Sequence, residues 1–139
     1  MARTISIGCQ NYETIRREGY FYIDKTSLIR EWWESGDSVT LITRPRRFGK
    51  TLTMSMTEQF FSVNYANRGD LFEGLSIWEE ETFQRLQGTY PVISLSFANV
   101  KEQRYEIARR KICQIFSNLY SQNDFLLEGD LLNRNLKIC

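Results

Sequence analysis

Apolar and polar positions along this chain fall into blocks whose period changes several times. Asn11–Glu18 reads as a helix that Asn11 caps and Gly19 ends. Tyr20-Phe21-Tyr22-Ile23 reads as a short strand or extended segment closed by Asp24. Thr26 then caps a second helix, with Leu28, Ile29, Trp32 and Trp33 on one face and Gly36 after the last turn. The β-branched run Ser38–Thr43 predicts a strand. A basic loop, Arg44-Pro45-Arg46-Arg47-Phe48, follows it. Gly49-Lys50-Thr51 opens a third helix, with Leu52, Met56 and Phe60 spaced by four. Ser62–Gly74 is rich in turn formers, and a short helix is expected through Glu79–Leu86. After Pro91 a second strand is expected over Val92–Phe97. A long helix over Arg104–Tyr120 carries the stripe Ala108, Ile112, Ile115, Phe116 and Leu119, and another short helix is expected over Phe125–Leu132. Strands alternating with helices predict an α/β fold with a parallel sheet.

Composition narrows the chemistry. The 139 residues carry 18 Lys and Arg against 17 Asp and Glu, a net charge of +1, which excludes bulk polybasic binding to nucleic acid. With 42% hydrophobic and 25% charged residues the chain belongs with folded domains rather than disordered ones. It has no histidine, so a Ser-His-Asp triad, a Cys-His pair and a histidine metal site are excluded. Cys9, Cys113 and Cys139 are far apart with no C-x-x-C pair, which points to a reducing compartment rather than to disulfides or zinc. The first residues lack the apolar run of a signal peptide, and no stretch nears the ~20 apolar residues of a membrane span. The expected location is the cytoplasm, with no membrane partner.

The chemistry concentrates in Leu41–Thr51. The expected order of strand, loop, Gly-Lys-Thr and helix is that of a phosphate-binding loop. A helix begins with unpaired amides and a partial positive charge, both suited to an anion. Gly49 permits close backbone approach. The expected binding set is Arg46, Arg47, Phe48, Gly49, Lys50 and Thr51. In it Lys50 is the catalytic cation on the β- and γ-phosphates, and the Thr51 hydroxyl is the Mg²⁺ ligand. The pattern G-x-x-x-x-G-K-[ST] departs at its first position, where Arg44 replaces glycine. Pro45 also removes one amide donor. No carboxylate closes the Val92–Phe97 run, which ends in Ala98-Asn99, so no second motif for hydrolysis appears. Asp24 lies upstream of the loop and reads as a turn and capping residue.

Tyr20–Thr26, Leu41–Thr51, Asp70-Leu71-Phe72-Glu73-Gly74-Leu75 and Tyr90-Pro91-Val92-Ile93 together resemble the bacterial AAA-ATPase-like proteins. The similarity in motif order and spacing runs from about Ile7 to about Leu132. It implies that Arg-Pro-Arg-Arg-Phe-Gly-Lys-Thr is that family's own variant of the phosphate loop. It implies a three-layer P-loop NTPase fold, with a helical lead-in over 8–36 and a phosphate-loop core over 37–132. It also implies ATP and Mg²⁺ as cofactors, and Asp24-Lys25-Thr26 near the adenine. In that family the acidic strand lies further downstream and a nuclease-like domain of the PD-(D/E)XK type often follows. The resemblance therefore implies a truncated N-terminal portion, with nucleic acid as a partner only through the missing domain. Asn135–Cys139 has no place in the pattern.

Other conspicuous residues have plainer readings. Trp32 and Trp33 read as core rather than as a base-stacking pair. Arg109-Arg110-Lys111 and Glu79-Glu80-Glu81 read as solvated helix faces. The two alternatives to an ATP-binding domain are an anion or nucleic-acid module built on Arg44, Arg46, Arg47 and Lys50, and a truncated scaffold without ligand.

Overall fold

The computed structural model describes residues 4–124. The chain divides into two compact units, Met1–Val92 and Ile93–Cys139. The first contains helices α1 (Tyr12–Arg17), α2 (Ser27–Ser35), α3 (Lys50–Phe61) and α4 (Glu81–Leu86). Single 3-10 turns at Val63–Tyr65, Gly69–Leu71 and Ser76–Glu79 link α3 to α4. The second contains α5 (Tyr105–Gln122).

Local chemistry sets these boundaries. The Asn11 carboxamide oxygen accepts from the Thr14 amide at 3.3 Å and caps α1. Gly36, left-handed at φ 67°, ends α2. Gly88 is also left-handed, at φ 70°, and its amide donates to the Phe60 carbonyl at 2.8 Å. A Cβ there would lie 2.6 Å from the Ala66 Cα, so only glycine lets these backbones approach.

The core of the first unit is aromatic. The Tyr12 ring stacks on Phe72 with centroids 5.3 Å apart, and Phe72 meets Phe60 edge-on at 5.1 Å. Ile29, Met56, Leu71, Ile77 and Phe83 close around them. Burying a side chain such as Phe72 stabilises the unit by about 3 kcal/mol. The Asp70–Leu75 motif works from both sides. Leu71, Phe72 and Leu75 point into the core. The Leu71 carbonyl meanwhile accepts from the Tyr12 hydroxyl at 2.9 Å and from Arg16 Nε at 2.7 Å. Trp32 and Trp33 pack on Phe61, as their core reading expected, although Trp33 keeps an exposed edge.

The expected sheet is absent. No strand forms among the described residues, so the chain is not the three-layer α/β P-loop fold with a parallel sheet that its alternating runs and its resemblance implied. The sheet-like pairing that does occur is an isolated parallel bridge between Ser62 and Tyr90. Ser38–Thr43 is not strand, and Val39 and Leu41 are 86% and 84% exposed. Val92–Phe97 is not strand either, and Tyr20–Ile23 forms no ladder: the Tyr20 amide bonds the Ile15 carbonyl, the Phe21 amide bonds the Thr4 carbonyl, and the Tyr22 hydroxyl reaches Met56. β-branched residues express a fit to a pleated surface, and neighbouring strands must supply that surface. None of these runs has such a neighbour among the described residues.

In the second unit the expected stripe of α5, Ala108, Ile112, Ile115, Phe116 and Leu119, is half-buried, and Phe97 packs edge-on against Phe116. Lys111 pairs with Glu102. The helix expected over Phe125–Leu132, and Cys139, lie outside the described residues. Among the described residues no helix is long and apolar enough to cross a membrane.

Candidate functional site

The loop from Arg44 to Gly49 runs directly into the first turn of α3. Two of its residues are left-handed: Arg47 at φ 68° and Gly49 at φ 74°. Glycine adopts that conformation freely, whereas an arginine in it carries about 1–2 kcal/mol of strain. Alternating handedness turns successive amides toward one side and makes an anion-binding concavity. The amides here are free to serve that purpose. Among the described residues, no group accepts a hydrogen bond from any backbone N–H between Arg46 and Leu52, and the first i→i+4 bond of α3 runs from the Thr53 amide to the Gly49 carbonyl at 2.8 Å. The Thr53 hydroxyl backs the same carbonyl at 3.0 Å.

Lysines bind the carbonyls of the loop. Lys50 folds its ammonium back onto the Arg44 carbonyl, and donates to the Pro45 carbonyl at 3.1 Å. Lys25, ahead of α2, donates to the Phe48 carbonyl at 3.4 Å. Two clefts flank the loop, and Lys50 lines both. The larger, about 780 Å³, is walled by the Ile7–Gln10 segment, Arg46, Arg47, Gly49 and Thr51. The smaller, about 360 Å³, is walled by Lys25, Leu28, Glu31, Ile42 and Phe48. Both volumes fall in the range of small-molecule sites.

The residues singled out by the motif are therefore together, with one division. Arg46, Arg47, Gly49, Lys50 and Thr51 share the larger cleft, whereas the Phe48 side chain lines the smaller one. Thr51 is exposed and its hydroxyl bonds to nothing among the described residues; the same holds for the side chains of Arg46 and Arg47. Asp24 is committed elsewhere, as its turn reading expected. Its Oδ1 accepts from the Thr26 amide at 2.8 Å and the Thr26 hydroxyl at 2.7 Å, and its Oδ2 from the Ser76 amide at 2.8 Å. Burial works to raise the Asp24 pKa, but these bonds from Ser76 and Thr26 outweigh it and hold the carboxyl below its ordinary value. Among the described residues no group of His, Cys, Asp and Glu side chains is arranged to hold a metal.

Lys25, which the resemblance put only near an adenine together with Asp24 and Thr26, was not among the residues expected at the phosphate loop, where it bonds the Phe48 carbonyl. The signal was present in its neighbours: a cation between Asp24 and Thr26, two residues suited to anchoring a turn.

A family model described as "Predicted AAA-ATPase" matches residues 6–135. A protein of Azotobacter chroococcum mcd 1, described as an uncharacterized protein in the vnfD 5' region, is 33% identical over 96 residues. That match covers 68% of this chain, and 17% of the relative's length. No solved structure matches.

Proposed function

The chain belongs to the predicted AAA-ATPase family, and on that premise we propose that the Arg44–Thr51 loop binds the triphosphate of Mg²⁺–ATP. One observation carries this reading: the run of unpartnered amides from Arg46 to Leu52, in the same loop whose Arg44 and Pro45 carbonyls hold the Lys50 ammonium. Exposed amides at a helix start, a left-handed turn beside them and a central cation form the donor set that phosphate oxygens require. The larger cleft brings the same residues to one face.

Each group has a role under this reading. The amides of Arg46–Thr51 donate to phosphate oxygens. Lys50 has three protons, so it can keep a loop carbonyl while also meeting the β- and γ-oxygens. The Thr51 hydroxyl is the protein ligand available to Mg²⁺, whose remaining positions go to phosphate and water. Arg46 and Arg47 add positive potential at the cleft mouth. Bound Mg²⁺ would supply charge neutralisation across the phosphates. Among the described residues no strand precedes the loop, and the Lys25 and Lys50 ammonium groups bond its carbonyls.

Calorimetric titration of Mg²⁺–ATP into the wild type and Lys50→Ala tests the proposal. Charge-assisted contacts contribute about 1.5–3 kcal/mol each, so Lys50→Ala should bind at least about tenfold more weakly. Equal affinities would reject it. So would a preference for oligonucleotides with steep salt dependence and no requirement for Mg²⁺.

A further inference from the structure

Asp24-Lys25-Thr26 forms a mount for the lysine between its two anchors. Asp24 is bonded to the Ser76 amide. Thr26, fully buried, accepts from the Ile77 amide at 3.3 Å and shares a hydrogen bond with the Ser76 hydroxyl at 3.1 Å. The backbone on both sides of Lys25 is thus tied to the 3-10 turn at Ser76–Glu79. Lys25 itself is exposed and reaches the loop. Its ammonium lies 3.4 Å from the Phe48 carbonyl oxygen and 3.2 Å from the point a Cβ on Gly49 would occupy.

That contact has a geometric consequence. In a planar trans peptide the C=O and N–H point to opposite sides. Holding the Phe48 carbonyl toward Lys25 turns the Gly49 N–H away from it. Lys25 and the Phe48 side chain line the smaller cleft, whereas Gly49 lines the larger one with Thr51. Glycine makes reversal of this peptide easy, since both signs of φ are open to it. A reversed peptide would aim the Phe48 carbonyl, not an amide, at the anion. We infer that Lys25 is a positioning residue for nucleotide phosphate: it locks the Phe48–Gly49 peptide so that the Gly49 amide faces the larger cleft. The inference rests on the reading of the loop as a triphosphate site.

The test compares wild type, Lys25→Met, Lys25→Arg and Lys50→Ala. Affinities for Mg²⁺–ATP and for inorganic tripolyphosphate are measured by calorimetry, and the Gly49 amide is followed by ¹⁵N-resolved NMR. Lys25 is exposed, so Lys25→Met should melt within about 2 °C of wild type. It should bind both ligands about fivefold more weakly, and its Gly49 resonance should already be displaced before ligand is added. Lys25→Arg should restore most of the affinity and the resonance position, and it carries the test if Lys25→Met melts far lower. With wild-type binding and its loss in Lys50→Ala both observed, an unchanged affinity in Lys25→Met overturns the inference and leaves the loop reading standing. An unmoved Gly49 resonance in that variant does the same. Absence of wild-type binding, or full binding by Lys50→Ala, removes the loop reading and this inference with it.

Discussion

Replacing Asp24 should loosen the start of α2 and reveal an acid-sensitive contribution to stability. In Asp24→Ala the amides of Thr26 and Ser76 and the Thr26 hydroxyl lose an acceptor that they meet at 2.7–2.8 Å. A hydrogen bond to a charged group contributes about 1.5–3 kcal/mol when shielded. Asp24 is exposed and water replaces part of the loss, so about 2–3 kcal/mol in total is expected. With a urea slope near 2 kcal/mol/M, the unfolding midpoint should fall by about 1 M. Asp24→Asn separates charge from shape, because it keeps an acceptor and removes the ionisation. The folded carboxyl titrates below its ordinary value of 3.8, so on acidification the unfolded chain takes up its proton first. The contribution is therefore fully present above about pH 4 and drains away as the pH falls through the folded value. Urea midpoints of wild type and Asp24→Asn should differ by a constant amount between pH 5 and 7 and converge below about pH 4. Coincident midpoints at pH 7 would refute the reasoning, as would a gap that acidification leaves unchanged.

Two further substitutions probe the frame around the site. Gly88→Ala combines a left-handed backbone with a Cβ 2.6 Å from the Ala66 Cα; thermal or urea unfolding should show a loss of about 3 kcal/mol, and a loss under 1 kcal/mol would mean that the two backbones separate without cost. Asn11→Ala removes the cap on Thr14 and the acceptor of the Gln59 amide at 3.2 Å; it should destabilise the fold by about 1–2 kcal/mol, and an unaltered urea midpoint would rule out that double role.

The helices were legible in the sequence because their signals are local. Asn11, Gly36 and the fourfold spacing of Leu52, Met56 and Phe60 act within one or two turns, and α1, α2 and α3 sit where those residues place them. The strands were not, since pairing is a property of two segments. Ser38–Thr43 has the composition of a strand and, among the described residues, no partner that completes one. The Asp70–Leu75 motif was visible as a string without its reason, which is that the Leu71 carbonyl receives both Tyr12 and Arg16 from α1. The phosphate-loop residues were readable from Gly49-Lys50-Thr51. The lysine contacts that shape them were not, because a long flexible side chain leaves no periodic trace. Arg44 and Pro45, which departed from the expected motif, prove to supply the carbonyls that Lys50 grips.

The unpartnered amides and exposed side chains of Arg46 and Arg47 also make this ribbon a natural entry point for a trypsin-like protease. Pro45 shields the bond after Arg44, but the bonds after Arg46 and Arg47 stand open in exposed chain. A nick there would not release the two pieces, since Tyr12 still reaches Ser55 and Leu71, Tyr22 still reaches Met56, and Asp24 still reaches Ser76 across the break. The severed molecule would keep its aromatic interior while losing the continuity of the loop that holds Lys50, so digestion would separate the endurance of the scaffold from the integrity of its pocket.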